Sequence, residues 1–260
     1  MKKIIALLLT VTLTLLVFAS CSKPKGKTLD EVKAAGKLVV ATSPDFPPFE
    51  YLDENNANEV IGIEIDIMKL VCEKLGVTLE IKQMDFDSVL VGIQAAKYDI
   101  AVSGITVNAK REKNMRFTSP YYIAAQSIVV KEDSTIASKA DLTGKKISVQ
   151  TGTTAEDFCT SENYEVMSLA ANADAKSALT TDKVDAWVVD NLTALQMVEE
   201  GDGLKILSET MTEEPYAFAF AYGSETLVAE IDTILQGLIA DGTVKSIFEK
   251  YGESYAAPTK

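Results

Sequence analysis

No histidine occurs among the 260 residues. That excludes histidine triads, histidine general bases and histidine metal sites, the commonest routes to hydrolytic chemistry. Cysteine is scarce, with three in the chain. Cys72 falls in the apolar helical run 65–75 and Cys159 follows Phe158 in a second helical stretch. Two isolated thiols at no metal-ligand spacing read as small core residues, and a disulfide between them stays open. Basic charge is also short, since 25 Lys and Arg against 38 Asp and Glu leave a net charge of −13. Nucleic acid and anionic lipid are therefore poor main partners. The apolar run 4–19, after Met1-Lys2-Lys3, is too short and too interrupted by Thr10, Thr12 and Thr14 for a comfortable membrane span. It has the pattern of a secretory signal.

Phe18-Ala19-Ser20-Cys21 resembles the bacterial lipobox, in which the cysteine is lipidated and becomes the new N-terminus. Phe18 stands where that motif usually has Leu, and Ser20 where Gly or Ala is commoner. The resemblance implies a signal peptide over 1–20, lipidation at Cys21, and a lipid-anchored linker over 21–27 whose polar residues tether the folded part of the chain. A plain secretory signal with Cys21 incidental is the alternative. Removing 1–20 takes away Lys2 and Lys3 and no acid, moving the net charge to −15. The remaining 240 residues suffice for two domains, each with its own core.

Strand and helix signals alternate from Lys37 onward. A capped helix from Thr28 ends at Gly36, and strands are expected over 37–41, 77–83 and 99–103, with helices over 64–75, 87–96 and 108–114. Leu38-Val39-Val40 and Ile100-Ala101-Val102 are short unbroken apolar runs, as in strands covered on both faces. A second series comes after Tyr121-Tyr122: strands over 127–131, 145–150, 164–169, 184–189 and 204–208, with helices over 154–161, 172–181 and 192–199. The fold class is thus α/β, in two units of similar size. A strand at 217–222 and helices at 225–240 and 243–250 have no unit of their own and are expected to pack on the first.

Four strand-end segments concentrate polar and aromatic residues. In 41–51, three prolines fix an extended loop; Phe49 is expected in the core and Phe46 toward a cleft. In 103–111, Gly104 allows a close approach to the backbone, and Thr106 or Asn108 can cap the helix carrying Arg111. A helix start, a hydroxyl and a guanidinium suit a carboxylate; a cap leading into the solvated charge run 110–113 explains the same residues. Gln150-Thr151-Gly152-Thr153-Thr154 is a second candidate anion cradle, too short for a nucleotide loop and lacking its lysine. Asp190 ends a buried strand, where it can cap the next helix or hold a cation at the sheet's C-terminal edge.

Together these segments resemble the amino-acid-binding proteins of ABC importers, solute-binding protein family 3. The likeness covers residues 28–252. It is carried by Ala41 to Tyr51, Gly62-Ile63-Glu64-Ile65-Asp66, Met84-Asp85-Phe86-Asp87, Asp99 to Arg111, Phe117 to Tyr122, Gly144 to Thr154, Val184 to Asp190 and Gly242 to Gly252. It implies a type II periplasmic-binding-protein clamp: lobe 1 over 28–124 plus 217–260, lobe 2 over 125–216, and two crossover strands near 122–125 and 216–220. By the same resemblance Arg111 pairs with a ligand α-carboxylate, aided by Ser103, Gly104, Thr106 and Thr154. Asp190 then takes the α-ammonium, and Phe46 and Phe86 pack on the side chain. The implied partners are a free amino acid, the ABC permease with its ATPase, and the membrane through the lipid anchor. The expected location is the extracytoplasmic face, as a monomer, with no cofactor and no metal.

Ser43 departs from relatives that bind basic side chains or glutamine, which often carry Asp there. A neutral or polar amino acid is therefore expected, with Ser43, Gln126 and Gln150 candidates to touch its side chain. Asp45, Glu50 and Asp85 are read as turn or surface residues that could still supply charge. Two other classes compete. One is an enzyme on the same fold, a cyclohexadienyl or arogenate dehydratase, which needs a cleft proton donor; no cleft acid beyond Asp190 is evident. The other is a ligand-sensing module, which a membrane helix or kinase segment would support; none is read up to Lys260.

Overall fold

The computed structural model describes residues 24–258; the expected signal peptide and Cys21 lie outside the described residues. Among the described residues no helix is long and apolar enough to cross a membrane.

The apolar runs form two five-stranded sheets. The first is ordered 78–83, 37–42, 100–101, 219–220, 116–117. Its strand Lys37–Thr42 runs parallel to Thr78–Gln83, with Lys37 opposite Thr78, and parallel to Ile100–Ala101. Ala219–Phe220 returns antiparallel between Ile100–Ala101 and Arg116–Phe117, so the tail does rejoin the first unit. The second sheet is ordered 165–169, 146–150, 186–190, 126–131, 204–210. Both are covered on two faces. In Ala186–Asp190, Trp187 and Val189 join one apolar cluster while Ala186 and Val188 join another, which is why this segment reads as an unbroken apolar run.

Between the sheets the chain crosses twice, and the crossings pair. Tyr122–Ala124 lies antiparallel to Glu214–Tyr216, with Tyr122 opposite Tyr216. Aromatic rings fill this junction: Phe49 meets Tyr216 edge-on at 5.2 Å, and Tyr121 stacks on Phe218 at 5.1 Å. Edge and offset contacts of this kind fix ring positions beyond simple burial.

A third, antiparallel sheet, Asp45–Phe46, Glu50–Asp53 and Asn56–Ile61, is not foreshadowed by the sequence pattern. It folds the proline loop, whose Pro47–Pro48 bond is cis, back on itself. Gly62 closes it against the helix Ile63–Leu75. At φ +132 its backbone passes so near Phe49 that a Cβ would lie 2.2 Å from the Phe49 carbonyl oxygen. The helix then starts directly on the loop, with Ile63 N–H donating to Pro48 O at 2.9 Å and Glu64 N–H to Phe49 O at 3.0 Å.

Residues 24–27, expected within the linker, lie against the first unit. Gly26 is buried and its N–H donates to Tyr222 O at 2.7 Å, while Lys27 pairs with Asp99 at 2.9 Å. Cys72 and Cys159 are free thiols in separate cores, which removes the disulfide alternative. Burial pushes them up to about 11 and about 12, so neither is a reactive thiolate at neutral pH.

Candidate functional site

The strand ends meet between the two sheets around a partly enclosed cavity. Ten of the residues singled out from the sequence line it: Ser43, Phe46, Phe86, Ser103, Gly104 and Thr106 with Arg111 from the first unit, and Gln150, Thr154 and Asp190 from the second. Asp45, Glu50 and Thr153 line it too.

Arg111 sits on the short helix Ala109–Glu112, whose cap is Asn108 rather than Thr106: Asn108 Oδ1 accepts the Arg111 N–H at 2.9 Å. Arg111 as a residue is 8% exposed. It donates to Thr106 O at 2.9 Å and, across the cleft, to Gly152 O at 3.2 Å, and it lies 5.6 Å from the Phe86 ring centroid. Among the described residues no carboxylate stands within 4.0 Å of it. Burial lowers its pKa, with Glu214, Asp157 and Asp190 opposing the shift from a distance. A guanidinium stays charged in any protein site. Arg111 is therefore a buried cation with open donor capacity and no ion-pair partner among the described residues.

Asp190 occupies the N-cap position of the helix Asn191–Met197 but makes no capping bond, which removes the simple cap explanation. Its carboxylate faces the cavity and accepts from Gln126 Nε2 at 3.1 Å. Burial is the main reason its pKa rises, to about 7; the neighbouring Tyr216 hydroxyl lowers it in part, although that hydroxyl lacks a hydrogen bond of good geometry. Gln126 thus supports Asp190 from behind and does not line the cavity.

The second candidate cradle is partly spent on itself. Thr153 caps the helix Thr154–Ser161 by accepting the Glu156 N–H at 3.2 Å, Glu156 takes the Gly152 N–H at 2.7 Å, and Thr154 Oγ donates to Glu214 at 2.9 Å. Gly104 has φ +51, and a Cβ there would lie 2.6 Å from the Phe46 ring. Its glycine serves the approach of that ring. Phe49 is fully buried and Phe46 lines the cavity, as expected.

The acids depart most from the sequence-based expectation. Asp45 is neither turn nor surface: it accepts Ser43 Oγ at 2.8 Å, Gln150 Nε2 at 2.9 Å and the Asn172 N–H at 2.9 Å, joining the two units. Burial raises its pKa, and these bonds offset part of the rise. Glu50 is fully buried, and only Asp85 lies exposed outside the cavity. The cavity therefore holds three acids, Asp45, Glu50 and Asp190, where the sequence pattern points to one. Glu64, behind them, is a further site residue that the pattern does not single out. A signal for it exists, since Glu64 lies between Ile63 and Ile65 in a helix start whose apolar residues are all core.

The family model for bacterial extracellular solute-binding proteins, family 3, matches residues 38–254. The chain belongs to that family. The arginine-binding extracellular protein ArtP of Bacillus subtilis (strain 168) is 28% identical over 258 residues, covering 96% of this chain and 98% of ArtP. A mutant ArgBP from T. maritima superposes with a TM-score of 0.82 at 34% identity, covering 86% of this chain and 98% of that one. An ancestral arginine-binding protein bound to glutamine gives 0.78 at 38% identity, covering 83% and 97%. Two sheets joined by paired crossings are the type II periplasmic-binding-protein fold of these relatives.

Proposed function

We propose that this chain is the extracytoplasmic capture subunit of an ABC importer, anchored by lipid at Cys21. It takes a free L-amino acid between lobe 1, residues 28–124 plus 217–260, and lobe 2, residues 125–216, and passes it to the permease and its ATPase. One observation carries the reading: Arg111 is a buried cation with no carboxylate partner, in a cavity that also holds the raised carboxyl of Asp190. A zwitterion complements both groups at once. Its carboxylate pairs with Arg111 from lobe 1 and its ammonium with Asp190 from lobe 2, so the closed state gains most when both ends are present.

For the side chain, Ser43 in place of an acid supports a neutral or polar amino acid, with Ser43 and Gln150 at the cavity wall. Asp45 supports a second reading. Ser43 Oγ donates to it, so a carboxylate stands two residues further on, and it is left over once a zwitterion has matched Arg111 and Asp190. That excess negative charge suits a cationic side chain, and the names of ArtP and ArgBP point the same way.

A thermal-shift screen of the soluble domain over the twenty amino acids tests both. A ligand at about 100 times its dissociation constant adds about 2.7 kcal/mol to stability. A neutral amino acid as best responder supports the first reading; arginine or lysine rejects it for the second. Arg111→Ala and Asp190→Asn each abolish the shift, and a full response in both variants rejects the site. The ligand is recovered unchanged. Product from prephenate or arogenate would replace binding with the dehydratase alternative, for which the cavity acids would be the proton donors.

A further inference from the structure

We infer that Glu50 and Glu64 share a single proton, and that this buried carboxyl pair is a positioning device holding the Ser103–Gly104 strand end beside Arg111, where a ligand carboxylate is read. The binding half of this inference rests on the amino-acid reading above. The proton half does not.

Both side chains are 0% exposed. Geometry brings them together: the Glu64 N–H donates to the carbonyl of Phe49, the residue before Glu50, and the adjacent residues Ser103 and Gly104 each donate to one of the two carboxyls. No cation neutralises them among the described residues. The titratable groups facing the pair are Asp45 from the hairpin and Tyr121 at the first crossing, neither of them positive. Two full negative charges at this depth, with nothing to offset them, are far less stable than one charge and one proton.

The hydrogen bonds identify where the proton sits. Glu64 accepts the Tyr121 hydroxyl at one oxygen and the Gly104 N–H at the other, 3.1 Å away. It is surrounded by donors, as an ionised carboxylate requires. Glu50 accepts from Ser103 Oγ at 2.9 Å through one oxygen, while its other oxygen is buried and receives no hydrogen bond from any described donor. A proton on that second oxygen, donated to Glu64, satisfies both groups. Burial first and the Glu64 charge second hold Glu50 well above the usual carboxylate range, in agreement with this assignment.

The pair then fixes its neighbours. Ser103 Oγ accepts the Ser43 N–H at 3.0 Å and donates to Glu50, so its orientation is set, and the Gly104 N–H is committed to Glu64. The strand end is presented rigidly beside Thr106 and Arg111. The proton also keeps a second negative charge away from the place where an anion must bind. Glu50 is thus a positioning residue whose neutral form matters.

The test compares the unmodified soluble domain with Glu50→Gln and Glu50→Ala. Infrared difference spectra of the ligand-free protein at about pH 8 are expected to show a protonated-carboxyl band that disappears in Glu50→Gln and persists in Asp190→Asn. No such band lost in Glu50→Gln overturns the shared proton, with or without a ligand in hand. For the amino acid found by screening, Glu50→Gln, which keeps both the donor and the acceptor, is expected to bind within about threefold of the parent. Glu50→Ala is expected to lose about tenfold or more, the scale of a buried hydrogen bond removed. Equal losses in both variants would show that an ionised Glu50 is required and would overturn the neutral form; no loss in Glu50→Ala would overturn positioning. If Glu50→Ala does not fold, the infrared result and Glu50→Gln binding decide. If no protein in the set binds any amino acid, the proposed function fails while the infrared band still decides the pair.

Discussion

Acidification from pH 8 to pH 5 is expected to weaken amino-acid binding about a hundredfold, and to do so through Asp190. Burial holds this carboxyl at about 7 in the ligand-free protein, so near pH 5 it is almost wholly protonated. An ammonium group needs the ionised form. Below pH 7 each unit therefore multiplies the dissociation constant by about ten, and two units correspond to about 2.7 kcal/mol. The ligand-free fold moves the other way. Its Asp190 keeps a proton between about pH 4 and pH 7 that the unfolded chain has released, so stability falls as pH rises through that window and returns on acidification. Isothermal titration in buffers of different ionisation enthalpy measures both the affinity and the proton count, and near pH 6 close to one proton should leave per ligand bound. Asp45 is also raised by burial, so Asp45→Asn is titrated in parallel to separate its contribution. An affinity that stays flat from pH 8 to pH 5 in the unmodified protein would refute the reasoning, as would an unchanged slope in Asp190→Asn.

Local geometry sets two further outcomes. Gly104→Ala places a Cβ 2.6 Å from the Phe46 ring at φ +51 and should lower stability by about 1–3 kcal/mol; an unchanged urea midpoint would contradict the close approach. Lys110→Ala removes the Lys110–Asp157 pair that crosses the cleft at 2.7 Å, yet the two side chains are 74% and 51% exposed. Closure should weaken by less than about 1 kcal/mol and the difference should fade in high salt, checked by ligand titration at two ionic strengths.

The two α/β units are legible in the sequence because their strands are buried on both faces, and Leu38-Val39-Val40 or Ala186 to Val189 can be little else. The return of 217–222 to the first unit is legible from its lack of any other partner. Arg111 and Asp190 stand out because each is a charge placed where a strand has just ended. The hairpin 50–61 is hidden for the opposite reason. Asn55-Asn56-Ala57-Asn58-Glu59 has little strand propensity of its own, and pairing of Tyr51 with Ile61 is set by the packing of the loop on the helix behind it. Asp45, Glu50 and Glu64 are hidden with it. A carboxylate beside prolines looks solvated until Gly62 brings the helix start against the loop, and then its burial arises from contacts no local pattern records. Gln126 shows the same limit, since alternation brings it to the cleft end of its strand but not whether it meets the ligand or Asp190.

The most direct measurement is an isothermal titration of the best-responding amino acid beside its carboxamide and its N-acetyl derivative. Removing either charged end leaves Arg111 or Asp190 buried without its partner, at a cost of about 3–5 kcal/mol. Each derivative should therefore bind at least a hundredfold more weakly than the parent amino acid. A derivative that binds within a few-fold of the parent would mean that a zwitterion does not bridge the two lobes through Arg111 and Asp190.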